Sequence, residues 1–574
     1  MFASSEIRKY VTWTVIAKCR EKCQGDVEHP TRKADMKVYE QVAMLLSQLS
    51  VDTMFGLLGD ANMYVCSAFE TAGGRLVRTS HEAGAVSMAD TYARLTGRWA
   101  VATVTHGPGL TNALTSLVEA ARFSSPVLVI TGDTPAEATH MQRLDIAALC
   151  ASVGVAHDRV HRPDTVIRDV ARAVQRLKST NAPVVLNIPV PISVSEAPTS
   201  DSAFVAAPTW TRSAPQTDEE AMDAALGLAA SASRPVIVAG RGVIDSGAEA
   251  SVLALADALG AGLFTSGLGV GLFTGHPRHL GIMGSIGHDE TTPILMDSDC
   301  VIAVGTSLNK YTSLGGELFA GKSLIHIDSD PVKLGWFVTP TCAVAGDAKT
   351  VTTLMADGIR EGQLPEKKTW KQRCHEASAA MARWTPPDDR TGTDTLDIRV
   401  ATQRLDAILP QGCAIVSDVG RFIAGSWPHI TKAAPGKFTA MTGFGSIGLG
   451  LAGGIGAAVS AVSDVTVVLV GDGGFMMNVS ELATAVREKL PMIVAVYNDG
   501  AYGAEYQKLL DEGFPAQHSY NEWPDIARTA AGMGCHTLTV RKPEDFESVA
   551  DEIARLSGPL VLDIHLDPTH HLNF

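Results

Sequence analysis

No apolar run in this 574-residue chain approaches the ~20 residues needed to cross a bilayer, which excludes a membrane-spanning helix. Basic stripes are equally missing. With 47 Lys and Arg against 62 Asp and Glu, a formal net charge of −15 argues against a nucleic-acid surface. Cysteine is thinly spread: of nine, only Cys19 and Cys23 are close, and they lack the second pair that a zinc site requires. That usage fits a reduced, cytoplasmic protein. Short-period repeats are absent too, although the first and third domains share one strand–helix rhythm.

What the chain does have is length for about three domains, each with its own core. Residues 1–35 stand apart. Seven basic residues (Arg8, Lys9, Lys18, Arg20, Lys22, Arg32 and Lys33) surround a short apolar run, but Glu6, Glu21, Asp26 and Glu28 count against a transit segment. They read as an extension before a domain that starts near Met36.

The most informative stretch is Val465–Tyr502. An unbroken β-branched run, Val465–Val470, predicts a strand buried on both faces. Gly471-Asp472-Gly473-Gly474 then makes a sharp turn, and Phe475 to Lys489 reads as a helix that Pro491 ends. Met492–Tyr497 is a second buried strand, closing on Asn498-Asp499-Gly500. This βαβ unit brings Asp472 and Asn498, 26 positions apart, to one edge of a parallel sheet, where open α/β sheets take ligands. A carboxylate, an amide oxygen and the Gly500 carbonyl suit a hard cation that also holds phosphates, as Mg²⁺ does. The Gly473 and Gly474 amides open the following helix and can cradle phosphate oxygens.

The same alternation runs through the rest. Strands at Thr53–Leu58, Leu76–Thr79, Ala100–Val104, Val127–Thr131 and Val184–Ile188 are interleaved with helical segments such as Thr111–Arg122, which predicts a parallel α/β sheet. The first domain takes residues 36–195, before a Ser/Thr/Pro/Ala-rich linker at Glu196–Thr217. A second α/β domain takes 218–365, and a third runs from 396 to 574 beyond the linker Trp384–Asp389.

This package resembles the thiamine diphosphate (ThDP) enzymes of the acetolactate synthase and pyruvate oxidase branch, over roughly residues 36 to 570. The resemblance implies three doubly wound parallel-sheet domains: pyrimidine-binding, middle and diphosphate-binding. It implies that Asp472, Asn498 and Gly500 hold Mg²⁺ on the cofactor's diphosphate. Three other segments carry it. His81-Glu82-Ala83-Gly84-Ala85, continuing to Tyr92-Ala93-Arg94, is similar to the segment whose glutamate meets the aminopyrimidine N1′, which makes Glu82 the catalytic carboxyl. Read without the family, Glu82 is an acid in the first turn of a helix. Thr442–Gly450 resembles the segment that bends the cofactor: Ile447 is the apolar wedge and the Gly445 carbonyl accepts from the 4′-amino group. Its plain reading is close helix packing. Ser417–Phe422 resembles the turn whose amides reach the diphosphate, here Gly420, Arg421 and Phe422, with Arg421 adding charge or remaining a solvated arginine.

The loop Thr105–Asn112 is similar to the one facing the thiazolium, with His106 in place of a small hydroxyl. That histidine either serves catalysis or bonds nearby backbone. Gln142 falls where relatives carry an active-site glutamine. Tyr502 is placed against the cofactor, with Glu505 and Tyr506 along the substrate pocket. Gly240–Gly242, Gly305–Ser307, His326–Pro331 and Gly346-Asp347 resemble FAD contacts of acetolactate synthases. The fold also persists without flavin, and there these are turns. The chain departs from true acetolactate synthases as well: their lysine after the glutamine and their middle-domain arginine are missing, Asp60 replaces a glycine, and Glu505-Tyr506-Gln507 replaces a tryptophan region.

The implied activity is ThDP- and Mg²⁺-dependent formation or cleavage of a C–C bond in a 2-oxo acid or related ketone, a carboligase or lyase. A non-oxidative 2-oxo acid decarboxylase is the alternative, and a cofactor-binding relative without catalysis a remote one. The implied assembly is a homodimer or homotetramer whose active sites span the subunit interface, acting on a small carbonyl substrate, with neither nucleic acid nor membrane as partner.

Overall fold

The structure, a computed structural model, describes residues 36–134, 139–197 and 215–572. The expected extension 1–35 and most of the first linker lie outside the described residues. Counting only the strands of the three large sheets, the first holds β1 (Thr53–Gly56), β2 (Arg75–Arg78), β3 (Ala100–Val104), β4 (Val127–Asp133), β5 (Ala156–Arg159) and β6 (Val184–Pro189), in the order β2-β1-β3-β4-β6-β5. The second holds β7 (Pro235–Ala239), β8 (Gly262–Thr265), β9 (His279–Ile282), β10 (Cys300–Val304), β11 (Ser323–Asp328) and β12 (Cys342–Ala345), ordered β9-β8-β7-β10-β11-β12. In the third, β13 (Cys413–Ser417), β14 (Ala433–Ala440), β15 (Thr466–Gly471), β16 (Met492–Asn498), β17 (His536–Val540) and β18 (Leu560–His565) repeat the order of the first: β14-β13-β15-β16-β18-β17. Every pairing in these sheets is parallel. The predicted α/β class with three doubly wound sheets is the observed one.

Central strands such as Val467–Val470 and Ile493–Val496 are wholly buried because helices cover both faces, which is why they read as continuous apolar runs. In each sheet the strand order reverses near the middle: between β1 and β3, between β7 and β10, and between β13 and β15; the first and third sheets reverse again at their far edge, where β6 lies inside β5 and β18 inside β17. The central reversals open the crevice in which such sheets bind ligands.

The first and third domains share one core. Helix α1 (Glu82–Thr96) packs on helix α2 (Gly450–Val459), and Ala85, Met88 and Ala89 join Leu451, Ala452 and Ile455 in a single apolar cluster. The crossing is close because α2 is rich in glycine. A Cβ on Gly456 would stand 2.1 Å from the Met88 carbonyl, and Thr91 Oγ1 donates to the Gly453 carbonyl at 2.6 Å.

Two helices differ from expectation. The single helix over Phe475–Lys489 is three short pieces, Asp472–Met477, Val479–Glu481 and Leu482–Arg487. Asn478 breaks it, its side-chain amide donating to the Gly448 carbonyl at 2.9 Å instead of facing solvent. The helix over Thr111–Arg122 is likewise interrupted at Ala113.

Gly456→Val is expected to cost on the order of 2–3 kcal/mol, because the crowded atom is backbone and cannot rotate away. Gly227→Ala, on an exposed helical site with no atom within 4 Å, should be neutral or gain up to about 1 kcal/mol. Thermal midpoints followed by near-UV circular dichroism compare the two; equal midpoints would contradict the close crossing.

Candidate active site

The third sheet reverses between β13 and β15, and the acids of both turns are buried there. Asp472 follows β15 directly; its Oδ1 accepts from the Gly473 amide at 2.6 Å and its Oδ2 from the Gly500 amide at 2.8 Å. Burial, and then the neighbouring Asp499 carboxylate, push the Asp472 carboxyl up to about 7. Asn498 ends β16 with its Oδ1 3.2 Å from the Gly500 amide and its Nδ2 donating to Asp563 at 2.8 Å. Gly500 sits at φ +68°, a left-handed turn that glycine makes without penalty, and its carbonyl accepts from the Asn521 amide at 2.8 Å with one lone pair to spare. Asp472, Asn498 and Gly500 thus gather as a set of hard oxygens. This donor set fits a divalent cation such as Mg²⁺, since a positive charge would offset the cost of burying the Asp472 carboxylate.

Gly473 and Gly474 line the same turn. A Cβ on Gly473 would meet the Tyr502 ring at 2.6 Å, and one on Gly474 would meet Asp418 Oδ2 at 2.3 Å, so backbone alone forms this wall. Asp418, fully buried after β13, accepts from the Gly448 amide at 2.8 Å and the Gly450 amide at 3.2 Å. Those bonds hold the loop that carries Gly445, which is exposed, and Ile447, which is half-buried. Phe422 turns its ring inward to stack on Tyr497 at 5.4 Å, and Gly420 is half-buried in the same turn.

Arg421 is put to a use other than the two considered from the sequence. Its guanidinium donates to Asp499 Oδ2 at 2.6 Å and to the carbonyls of Pro568 and His570 at 3.2 and 2.5 Å. It neutralises the acid beside Asp472 and ties the Asn498–Gly500 loop to the chain's last segment; that occupied fork, rather than a charge lent to a ligand, is what its burial reflects.

In the first sheet, the corresponding reversal lies between β1 and β3. Glu82 opens α1, 8% exposed, and its Oε2 accepts from Asn112 Nδ2 at 3.1 Å. His106 follows β3 and is 3% exposed, and neither ring nitrogen has a hydrogen-bond partner. Asp60 stands 3.9 Å from His106 Nδ1, and the His140 ring 6.0 Å from the His106 ring. Gln142 is half-buried, and its backbone packs so closely on Gly107 that a Cβ there would meet its carbonyl at 2.7 Å. Glu82, His106 and Gln142 therefore share the first-domain edge, and the cation donors and glycine turns share the third-domain edge.

Residues that sequence reasoning passed over bind these edges together. Glu481 of the third domain accepts from the Ser80 amide at 3.1 Å, the His81 amide at 2.9 Å and Thr484 Oγ1 at 2.7 Å, capping the start of α1 one residue before Glu82. Burial raises its carboxyl above the ordinary range. Glu119 accepts from Arg94 at 3.0 Å and from the Phe444 amide at 2.7 Å, while Arg94 also donates to the Ala440 carbonyl at 2.8 Å. Nothing in the local sequence marks Glu481 or Glu119. Asp563 did carry a signal, a lone acid inside the apolar strand β18.

In the middle domain, Gly240 and Gly242 pack directly on β10 and its turn. The Gly242 amide donates to the Gly305 carbonyl at 2.9 Å, and Arg241 Nη1 is buried with no acceptor. Among the described residues no helix is long and apolar enough to cross a membrane.

Comparison with known proteins places three family profiles along the chain: thiamine pyrophosphate enzyme, N-terminal TPP binding domain at residues 36–149, central domain at 222–355 and C-terminal TPP binding domain at 418–564. A probable 2-ketoarginine decarboxylase AruI of Pseudomonas aeruginosa is 30% identical over 529 residues, 90% of each chain. A probable acetolactate synthase large subunit of Methanocaldococcus jannaschii is 28% identical, covering 94% of this chain and 93% of its own. Sulfoacetaldehyde acetyltransferase of Castellaniella defragrans is 28% identical over 86% of both chains.

Asp418 yields a pH prediction. Burial pushes its carboxyl up to about 6 from an ordinary 3.8, against the pull of the glycine amides. The folded value exceeds the unfolded one, so the group's stabilising contribution is complete below about pH 4 and lost as pH rises through about 6. Relative to Asp418→Asn, the wild type should lose roughly 3 kcal/mol across that window. Thermal midpoints of both proteins from pH 4 to 7 test this, and parallel curves would contradict it.

Proposed function

The chain belongs to the thiamine pyrophosphate enzyme family, and from that premise we propose how its residues divide the work of a C–C bond reaction. It is a ThDP-dependent enzyme of the acetolactate synthase-like group, making or breaking a bond next to a carbonyl. When bound, the cofactor supplies an acidic thiazolium C–H and an electron sink for the bond that breaks. Asp472, Asn498 Oδ1 and the Gly500 carbonyl are the residues that would hold Mg²⁺ on its diphosphate. The amides of Gly473 and Gly474, with the turn at Gly420–Phe422, receive phosphate oxygens. Gly445 and Ile447 orient the rings, Tyr502 closes the glycine wall, and Glu82 holds the proton exchanged with the pyrimidine N1′. His106 and Gln142 face the reacting carbonyl.

The observation that carries this reading is the gathering of Asp472, Asn498 and Gly500 at the ends of β15 and β16, beside glycines whose Cβ would strike Tyr502 or Asp418. The substrate class is a 2-oxo acid or related ketone. A complete site at the interface of a homodimer or homotetramer fits the exposure of Phe444 and Met477, 44% and 61%, beside the cofactor loops; the location we propose is the cytoplasm. FAD on the middle domain is the finer extension; the buried, unpaired Arg241 Nη1 at that sheet's reversal is its support. Non-oxidative 2-oxo acid decarboxylation is the second reading, favoured by the decarboxylase among the relatives and by His106, a proton-carrying side chain where the family has a small hydroxyl.

Glu82→Gln should lower kcat/KM by about 10²–10⁴-fold, with ThDP affinity, read by tryptophan quenching, nearly unchanged. Full turnover in that variant would end the assignment. A screen of 2-oxo acids with and without an aldehyde acceptor separates the two readings: a hydroxyketone product marks the carboligase, and free aldehyde alone the decarboxylase. The visible absorbance of purified protein decides the flavin, with flavin bands expected if FAD is held.

A further inference from the structure

Asp563 is a buried acid that the proposed chemistry does not use. It lies in β18, Leu560–His565, whose other buried members are apolar, and is 3% exposed. Placing a carboxylate in that setting is costly unless each oxygen is bonded. Both are: Oδ1 accepts from Asn498 Nδ2 at 2.8 Å, and Oδ2 lies 3.2 Å from His565 Nε2. The register places Val496 opposite Asp563 and Asn498 opposite His565, so Asn498 and Asp563 are diagonal neighbours on one face of the sheet.

The two ends of an amide side chain have nearly the same shape, but only the oxygen binds a hard cation. Something must therefore select which end of Asn498 faces Asp472 and Gly500. The Gly500 amide, 3.2 Å from Oδ1, favours the oxygen there only weakly, because it also donates to Asp472 at 2.8 Å. Asp563 is an acceptor only. If the amide were reversed, its oxygen would face a carboxylate and its NH₂ would face a backbone N–H, two repulsive contacts in one buried place.

We propose that Asp563 is the positioning residue of the cation site: by accepting from Asn498 Nδ2 it commits Asn498 Oδ1 to the metal, with His565 securing its second oxygen. This rests on the reading of Asp472, Asn498 and Gly500 as metal ligands. It adds that the ligand set is incomplete in function without a residue that touches no metal.

The test uses the full chain, stripped of metal with EDTA, at fixed ThDP. Mg²⁺ is titrated while cofactor binding is followed by tryptophan quenching and by calorimetry, so the readout is the half-saturating Mg²⁺ concentration rather than activity. Asp563→Leu, similar in volume but without an acceptor, should raise it about 10–100-fold, whereas Asp563→Asn, which can turn its own oxygen towards Asn498, should stay within about threefold of wild type. Equal half-saturation in wild type and Asp563→Leu overturns the proposal. Wild-type cofactor binding that needs no divalent cation instead sinks the underlying metal reading. Should the leucine variant fail to fold, Asn498→Asp decides the matter. Two carboxylates then face each other across that contact, and adding Asp563→Asn must tighten Mg²⁺ binding; an unchanged value overturns the proposal.

Discussion

How closely helix α1 can approach helix α2 sets the placement of Glu82 and of the loop of Gly445 and Ile447. Glycine at 453 and 456 brings the α2 backbone against Met88 and Thr91, with a Thr91 hydroxyl bonded across the gap. That contact merges the cores of the first and third domains. Glu82 is the first residue of α1, and the loop of Gly445 and Ile447 leads directly into α2, so the same crossing sets the position of both. A larger side chain at the crossing would move two parts of the site at once.

Buried carboxylates do the finer alignment, each by accepting from groups on a neighbouring segment. Glu481 caps α1 from the third domain, and Glu119 of the first domain holds the Phe444 amide. Asp418 draws in the Gly448 and Gly450 amides. In each case the acid is expensive to bury and is stabilised only when its donors are in place, which makes it selective for one arrangement. Arg421 belongs to this group with the opposite sign, since it offsets Asp499 and so leaves Asp472 as the carboxylate without a fixed cation beside it.

Much of the architecture was legible because buried parallel strands need continuous β-branched runs. Val465–Val470, Ala100–Val104 and Pro235–Ala239 stand out for that reason, and the observed strands begin and end within a few residues of those runs. The glycine turns were legible too, since Gly473 and Gly474 sit where a Cβ would strike a neighbour. The break at Asn478 was not: helix spacing continues through it, and only the distant Gly448 carbonyl explains the departure. Strand β5 escaped for a related reason, as its Ala-His-Asp-Arg is polar and is held in the sheet by pairing with β6.

The chain's own order of residues was enough to determine three α/β domains, the Asp472–Asn498 spacing and the acid at the start of α1, because strand burial, tight turns and helix starts are local requirements with local signatures. The partners of those residues were decided only by tertiary structure. Glu481 lies 400 positions from His81, Glu119 lies 325 from Phe444, and Arg421 meets Asp499 across 78. A buried charge is tolerated for the donors that folding brings to it, and donors so far away leave no trace in the residues on either side.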